Sequence, residues 1–338
     1  MPKVSLKQIA LEAGVSPSLV SQVFNNRKVR VSESTRARIL EIASKHNYKP
    51  NRLASGLKLK RTGTIAVIVP FTPTGFFSEL IYHIEAYALE LGFNTMVLNT
   101  FGNREKEMQV LGLYQSQMAD GILLSPQDVE SRNSLLRQMH DEGYPIVFID
   151  RYVDGINAEI VSSDHARVAH ELTMRLIAKG CRDIVFIKRD DELLNSTKRD
   201  RVQGYISAME SSSLAPRFLG FDYDGGDPAS LCGKLRQLGE PDAIFLHSGF
   251  YMPLLLDAFR IAGYNHPRIK LVTVDPFAIP FQFLQKDEIL GNFHDNLTVV
   301  IQDTSAIARK AVTTLIAQIK GDAAAHGIDA IPVEFVEL

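Results

Sequence analysis

The sequence predicts a small all-α head followed by a larger α/β body of two lobes built on parallel sheets. Three observations predict it. Apolar-periodic segments opened by capping serines fill the first 48 residues. From Thr64 onward, β-branched runs alternate with amphipathic helical stretches, the rhythm of parallel strands joined by crossover helices. The chain has 338 residues, and the region after Thr64 is long for one open sheet, so two lobes are expected.

In the head, Ser5 precedes an apolar-periodic run with Gln8 three positions on, a capping-box pattern that predicts a helix to about Ala13. Gly14 breaks it. Ser16 is a good N-cap and Pro17 sits at the first helical position, where its missing N–H does no harm, so a second helix should run to about Asn25. Ser32 caps a third that ends near His46. Ile9, Ala10, Val15, Val20, Val23, Ile39 and Ile42 recur at helical spacing and would share one small core. Residues 49–64 follow as KPNRLASGLKLKRTGT, where Asn51 could cap about two helical turns through Leu59. Helices this short are marginal alone in water.

The body reads as strands at 65–70, 95–100, 121–126, 146–150, 184–188, 243–247 and 271–275. Helical stretches lie between them, at 78–91, 104–118, 131–142, 164–179, 200–211 and 251–262. In such sheets ligands sit beyond the carboxyl ends of the strands. Those ends carry Phe71, Asn99, Ser125, Asp150, Arg151, Lys188, Arg189, His247, Ser248 and Asp275, a polar, hydrogen-bonding set.

Charge divides the chain as the pattern does. The net charge is -2, but 13 of the 37 Lys and Arg and 3 of the 39 acids lie in residues 1–62. The head segment is therefore at +10 and the rest at -12. A basic head on an acidic body points to a polyanionic partner for the head alone. In the stretch IALEAGVSPSLVSQVFN, a tight A-G-V-S turn fixes two helices at a steep angle. The second helix presents Ser18, Ser21, Gln22 and Asn25 on one face. Positive charge attracts phosphates without regard to sequence, and short polar side chains can read base edges in a major groove. Double-stranded DNA is the expected partner.

Other classes fit less well. Hydrophobic residues make up 45% and charged residues 22%, an ordinary globular composition. No apolar run approaches the roughly 20 residues that span a bilayer, and no membrane partner is expected. The N-terminus lacks the apolar core of a signal peptide, so a cytoplasmic location is expected rather than that of an exported solute-binding protein. Cys181 and Cys232 match no metal spacing and read as buried thiols. No G-x-S-x-G, P-loop or G-x-G-x-x-G falls in a strand–turn–helix context, so no catalytic residue, cofactor or metal is expected.

Specific motifs carry the reading further. A-x-x-A-G-V-S (Ala10 to Ser16), V-S-x-V-x-N (Val20 to Asn25), V-S-x-x-T-R (Val31 to Arg36), N-Y-x-P-N (Asn47 to Asn51) and A-x-x-L (Ala54 to Leu57) resemble the DNA-binding head of the lactose-repressor (LacI/GalR) family of bacterial transcription regulators. The body continues the likeness through the Phe76-Phe77 pair, D-G-I-L-L-S-P, F-I-D-R, V-S-S-D and the V-x-x-D that ends at Asp275. The resemblance spans essentially the full chain. It implies a helix-turn-helix domain at 1–48, a hinge helix at 49–63, and a periplasmic-binding-protein-like body at 64–338 for effector binding and dimerisation. Within the body it implies one lobe of about 64–160 and 294–322, and another of about 161–293 and 323–338.

The function implied is that of a homodimeric transcription regulator, expected to be a repressor, whose operator affinity responds to a sugar or sugar derivative. DNA contacts would come from Ser5, Ser16, Pro17, Ser18, Ser21, Gln22 and Asn25, with Asn51, Ala54 and Leu57 in the hinge. Leu57 would wedge into the minor groove, as apolar side chains do when they unstack a base step. Effector contacts would come from Phe77, Asp150, Arg151, Arg201, Asp275 and His294. The chain ends at EFVEL without leucine heptads, so a dimer is expected rather than a tetramer. Gln22 stands where most of the family has arginine, which should change the base read, since Gln suits adenine as Arg suits guanine. Pro17 loses or makes apolar a base contact, Ser248-Gly249-Phe250 replaces the usual A-N-D, and His294-Asp295 replaces the usual R-Q.

Overall fold

A computed structural model describes residues 4–24, 31–46, 48, 61–70, 75–127, 134–190, 195–221, 228–263, 268–275, 296–322 and 327–337. The chain forms two compact units, Met1–Thr62 and Gly63–Leu338.

Local capping chemistry sets the helices of the first unit. Helix α1 spans Leu6–Glu12 with Ser5 as N-cap and Ala13 as C-cap. The Ser5 hydroxyl accepts the Gln8 N–H at 3.3 Å, and the Gln8 side chain accepts the Ser5 N–H at 3.1 Å, so the expected capping box is present. Gly14 follows at φ 62°, a left-handed conformation that glycine adopts without strain, and Val15 N–H closes the turn on Ala10 O. Helix α2 spans Pro17–Phe24, with the Ser16 hydroxyl accepting the Leu19 N–H at 3.2 Å. Helix α3 spans Glu33–Lys45, capped by Ser32 on Thr35. The Arg38 guanidinium donates to Ala13 O and so ties α3 to the end of α1.

Ile9, Ala10, Ala13, Val20, Val23 and Ile39 are the buried core of this unit. Val15 and Ile42, expected inside, are only partly buried and pack on its margin. Burying a Val or Ile side chain is worth about 1.5–3 kcal/mol against leaving it exposed, so a core this small leaves the unit dependent on its caps.

The second unit holds two six-stranded sheets among the described residues. Its elements run β1 (Thr64–Val69), α4 (Gly75–Glu90), β2 (Asn94–Asn99), α5 (Arg104–Leu111), β3 (Gly121–Leu124), α6 (Ser134–Asp141), β4 (Ile146–Ile149) and β5 (Glu159–Ser162). They continue α7 (His165–Ala178), β6 (Ile184–Arg189), α8 (Ser196–Ser211), β7 (Arg217–Phe221), α9 (Pro228–Leu238), β8 (Ala243–Leu246) and α10 (Met252–Ala262). The last are β9 (Lys270–Val274), β10 (Leu297–Gln302), α11 (Thr304–Lys320), β11 (Ile328–Ala330) and β12 (Val333–Glu337). The helix expected over 104–118 ends at Leu111, where Gly112 opens a tighter 3-10 turn to Ser116.

The first sheet has the order β11-β5-β4-β3-β1-β2 and the second β12-β10-β9-β8-β6-β7. Every pairing is parallel except that of β10 with β12. Parallel sheets need cover on both faces, and β3, β4 and β8 are accordingly apolar and buried throughout. Cys181 and Cys232 are free thiols in two of the resulting cores. No helix of the described residues is long and apolar enough to cross a membrane.

Sheet membership corrects the expected lobe boundaries in two places. Residues 297–302, placed by sequence in the first lobe, form β10 and pair with β9 in the second sheet. Residues 328–330, placed in the second lobe, form β11 and pair with β5 in the first. The chain thus changes lobe after β5, after β10 and again between β11 and β12. The reason is packing: Ile307, Ala308, Ala311, Val312, Leu315, Ile316 and Ile319 of α11 bury against β1, β3, β4 and α4, so the helix returns the chain to the first lobe.

Candidate DNA-reading head and effector cleft

Helix α2 turns Val20 and Val23 into the head core and leaves Pro17 and Ser18 exposed. Ser21 and Gln22 are half-buried on its flank. Ser5 and Ser16 are exposed, and their hydroxyls hold the first turns of α1 and α2 in place. Asn25, Asn51, Ala54 and Leu57, expected at the DNA, lie outside the described residues, as does His294, expected at the effector.

In the second unit, side chains from both lobes meet at the carboxyl ends of the strands. Asp150 follows β4 and Asp275 follows β9. Asp150 is 5% exposed, and its Oδ1 lies 3.3 Å from His165 Nε2. Its Oδ2 is 3.8 Å from Arg151 Nε. Burial alone would raise the Asp150 carboxyl, but its hydrogen bond with His165 and the cations Arg151 and Arg201 hold it below its ordinary value. The Arg151 guanidinium sits 5.8 Å from the centroid of the Phe77 ring, and Phe77 is itself buried on α4 against Phe76.

Arg201, on α8, is the centre of the cluster and is 4% exposed. Its Nη1 donates to His247 O at 2.8 Å, and its Nη2 lies 3.4 Å from Asp275 Oδ2. Its Nε and Nη2 also face His165 Nδ1, at 3.4 and 3.2 Å. Asp275 Oδ1 accepts from Gln302 Nε2 at 2.7 Å. Burial pushes the Asp275 carboxyl up, against the pull of Arg201 and Gln302. His247 is pushed down to about 3, first by burial and then by Arg201 and Lys198.

Phe77, Asp150, Arg151, Arg201 and Asp275 are therefore brought together. Sequence reasoning missed His165 and Gln302. His165 follows the helix-capping Asp164 in V-S-S-D-H, a position that carries no signal of its own. Ser125 Oγ, Arg151 Nε, Ser163 Oγ and Gln302 Oε1 are among the polar atoms of this unit buried without a hydrogen-bonding partner among the described residues. Ser125 follows β3, Arg151 follows Asp150 and Gln302 ends β10, so they belong to strand ends of both sheets. Buried donors and acceptors of this kind suit a small polar ligand. Among the described residues no group of His, Cys, Asp and Glu could hold a metal ion.

A three-helix head whose second helix presents polar residues, joined to a two-lobed body with a charged cluster between its sheets, defines a ligand-responsive DNA-binding regulator. Comparison with known proteins narrows the class. Residues 5–51 match the model of bacterial regulatory proteins of the lacI family. Residues 62–220 match that of periplasmic binding proteins and the sugar-binding domain of the LacI family, and 173–337 match a periplasmic-binding-protein-like domain. The HTH-type transcriptional regulator DegA of Bacillus subtilis is 30% identical over 275 residues, 78% of this chain and 79% of the relative. The ribose operon repressor of Haemophilus influenzae is 27% identical over 322 residues, 94% of this chain and 92% of the relative. The lac repressor dimer bound to operator and an anti-inducer shares the fold, with a TM-score of 0.81 at 20% identity over 98% of this chain and 97% of that one. This chain belongs to the LacI family of bacterial transcription regulators.

Proposed function

We propose that the protein is a cytoplasmic homodimer in which α2 of each head reads half of a near-palindromic operator, and that a sugar-like effector bound between the lobes sets operator affinity. It binds its effector without transforming it. The reading of the head rests on the exposed Pro17 and Ser18 on a helix anchored by Val20 and Val23, within a segment of charge +10. In it Ser18, Ser21, Gln22 and Asn25 face base edges, Ser5 and Ser16 approach the backbone, and the hinge carries Asn51, Ala54 and the wedge Leu57. Dimerisation is supported by Tyr82 and Leu89 of α4, Val97 of β2 and the nearby Phe101 and Met108, large apolar side chains left exposed on first-lobe elements.

The observation that carries the effector site is the buried Arg201–Asp275 pair facing Asp150 and Arg151 across the lobes. A guanidinium beside carboxylates offers both donors and acceptors to a polyhydroxylated molecule. Named relatives agree in class: one represses a ribose operon, and structures of similar fold hold cellobiose and fructose 1-phosphate.

The test is selection of DNA from a random pool by the full chain, repeated with D-ribose, cellobiose and D-fructose 1-phosphate. A twofold-symmetric site whose recovery changes with one of these compounds is expected. Recovery of no preferred sequence would overturn the DNA reading. A site indifferent to all three would count against a sugar effector.

A further inference from the structure

His165 is 3% exposed and stands where the chain leaves the first sheet, three residues after the end of β5 and at the first position of α7. Its two ring nitrogens face opposite lobes. Nδ1 faces Arg201 Nε and Nη2, at 3.4 and 3.2 Å. A guanidinium has only donors, so Nδ1 must accept and carry no proton. Nε2 lies 3.3 Å from Asp150 Oδ1 and 3.3 Å from Ser162 Oγ. The Ser162 hydroxyl is within bonding distance of two carbonyl oxygens, Asp150 O at 2.8 Å and Ser163 O at 3.0 Å, so its single proton has acceptors of its own. Asp150 is ionised and accepts only, so Nε2 is the donor. The partners leave one assignment: the neutral imidazole with its proton on Nε2.

We infer that His165 is a positioning residue of the effector cleft, holding Arg201 of the second lobe in place through Nδ1 while bonded to Asp150 of the first through Nε2–H. The resulting chain runs Asp150, His165, Arg201, Asp275 and Gln302, linking the end of β4 to those of β9 and β10. Among the described residues, His165 Nδ1, His247 O and the Asp275 carboxylate accept from Arg201, and together they orient the guanidinium before any ligand arrives. Helix packing brings the pair together. A Cβ on Gly204 would lie 2.0 Å from Ala166 O, so only glycine lets α8 approach α7 at the turn next to His165 and Arg201. The description of His165 as part of an effector site rests on the proposed function; its hold on Arg201 does not.

Two amides separate the roles of the two nitrogens. Asn at 165 places its carbonyl oxygen near the position of Nδ1 and can still accept from Arg201. Gln places its amide nitrogen near that of Nε2 and can still donate to Asp150, but it offers Arg201 no acceptor at the Nδ1 position. The experiment is nitrogen-15 NMR of the ligand-free full chain, labelled at histidine and arginine side chains. The wild type should show one imidazole protonated at Nε2 only, absent from both His165→Asn and His165→Gln. Proton exchange at the Arg201 guanidinium, assigned with Arg201→Lys, should stay slow in His165→Asn and speed up at least 10-fold in His165→Gln. An Nδ1–H or doubly protonated His165 near neutral pH would overturn the inference, as would equal exchange in the two variants. Because no ligand is present, a negative result here is separable from failure of the effector reading.

Discussion

Asp150 and Asp275 hold the same position in the two lobes. Each follows a central strand, each has a left-handed backbone (φ 63° and 69°), and each donates its N–H to the neighbouring strand, Asp150 to Val161 O and Asp275 to Val300 O. Asp tolerates this conformation better than most residues, and β-branched residues hardly at all. The turn aims each carboxylate at the common cluster, so one local device supplies both lobes with an acceptor. Asp275→Asn should therefore keep the turn and stay within about 1 kcal/mol of the parent in urea denaturation, while weakening the effector response. Asp275→Val forces a β-branched residue into the same backbone and should cost roughly 1–3 kcal/mol. Equal stability of the two variants would show that the turn does not depend on the residue type.

Gly204→Ala tests the close approach of α7 and α8. The added methyl would meet Ala166 O and Ala169 Cβ, and the first of these is backbone that cannot swing aside. Overpacking of this kind costs roughly 1–3 kcal/mol. The same shift would carry Arg201 away from His165, so effector response should fall along with the midpoint of denaturant unfolding. A variant as stable as the parent would mean that α8 relaxes without strain.

How much was legible in the sequence follows from where each residue sits. Asp150, Arg151 and Asp275 could be found because parallel strands advertise themselves as apolar runs and their carboxyl ends are fixed by the next residue. Arg201 lies inside a helix, away from any strand end, and is reached only through the family resemblance. His165 was not found: its partners Asp150 and Arg201 stand 15 and 36 positions away, and a histidine one residue after a helix cap has no spacing signature. Gln302 ends β10, a strand that the sequence reading does not include. The lobe boundaries failed for a related reason, since an amphipathic helix such as α11 does not state in its own sequence which sheet it covers.

At the head, the polar face of α2 predicts a change of base preference. Gln22 is half-buried on that face, and Gln pairs bidentately with adenine as Arg does with guanine. Gln22→Arg should move the preferred base at one position of each half-site from adenine to guanine, with discrimination of about 1–3 kcal/mol. Sequencing of DNA selected by parent and variant reads the change directly. An unchanged consensus would place Gln22 away from the base edges.

His247 predicts the response of the body to acid. Its imidazole is buried beneath the Tyr251 ring at 5.0 Å, with Nδ1 3.3 Å from Ile187 O, and it is pushed from 6.5 down to about 3. In the unfolded chain the ring binds its proton as pH falls through the ordinary value, whereas in the fold it stays neutral until about 3. Unfolding therefore takes up a proton between those limits, and stability falls with falling pH by up to about 1.4 kcal/mol per unit. His247→Gln has no proton to take up there, and its stability should fall less steeply from pH 6.5 toward pH 4 than that of the parent. Urea denaturation of the two proteins at several pH values measures the slopes, and parallel curves would show that acid acts through other groups.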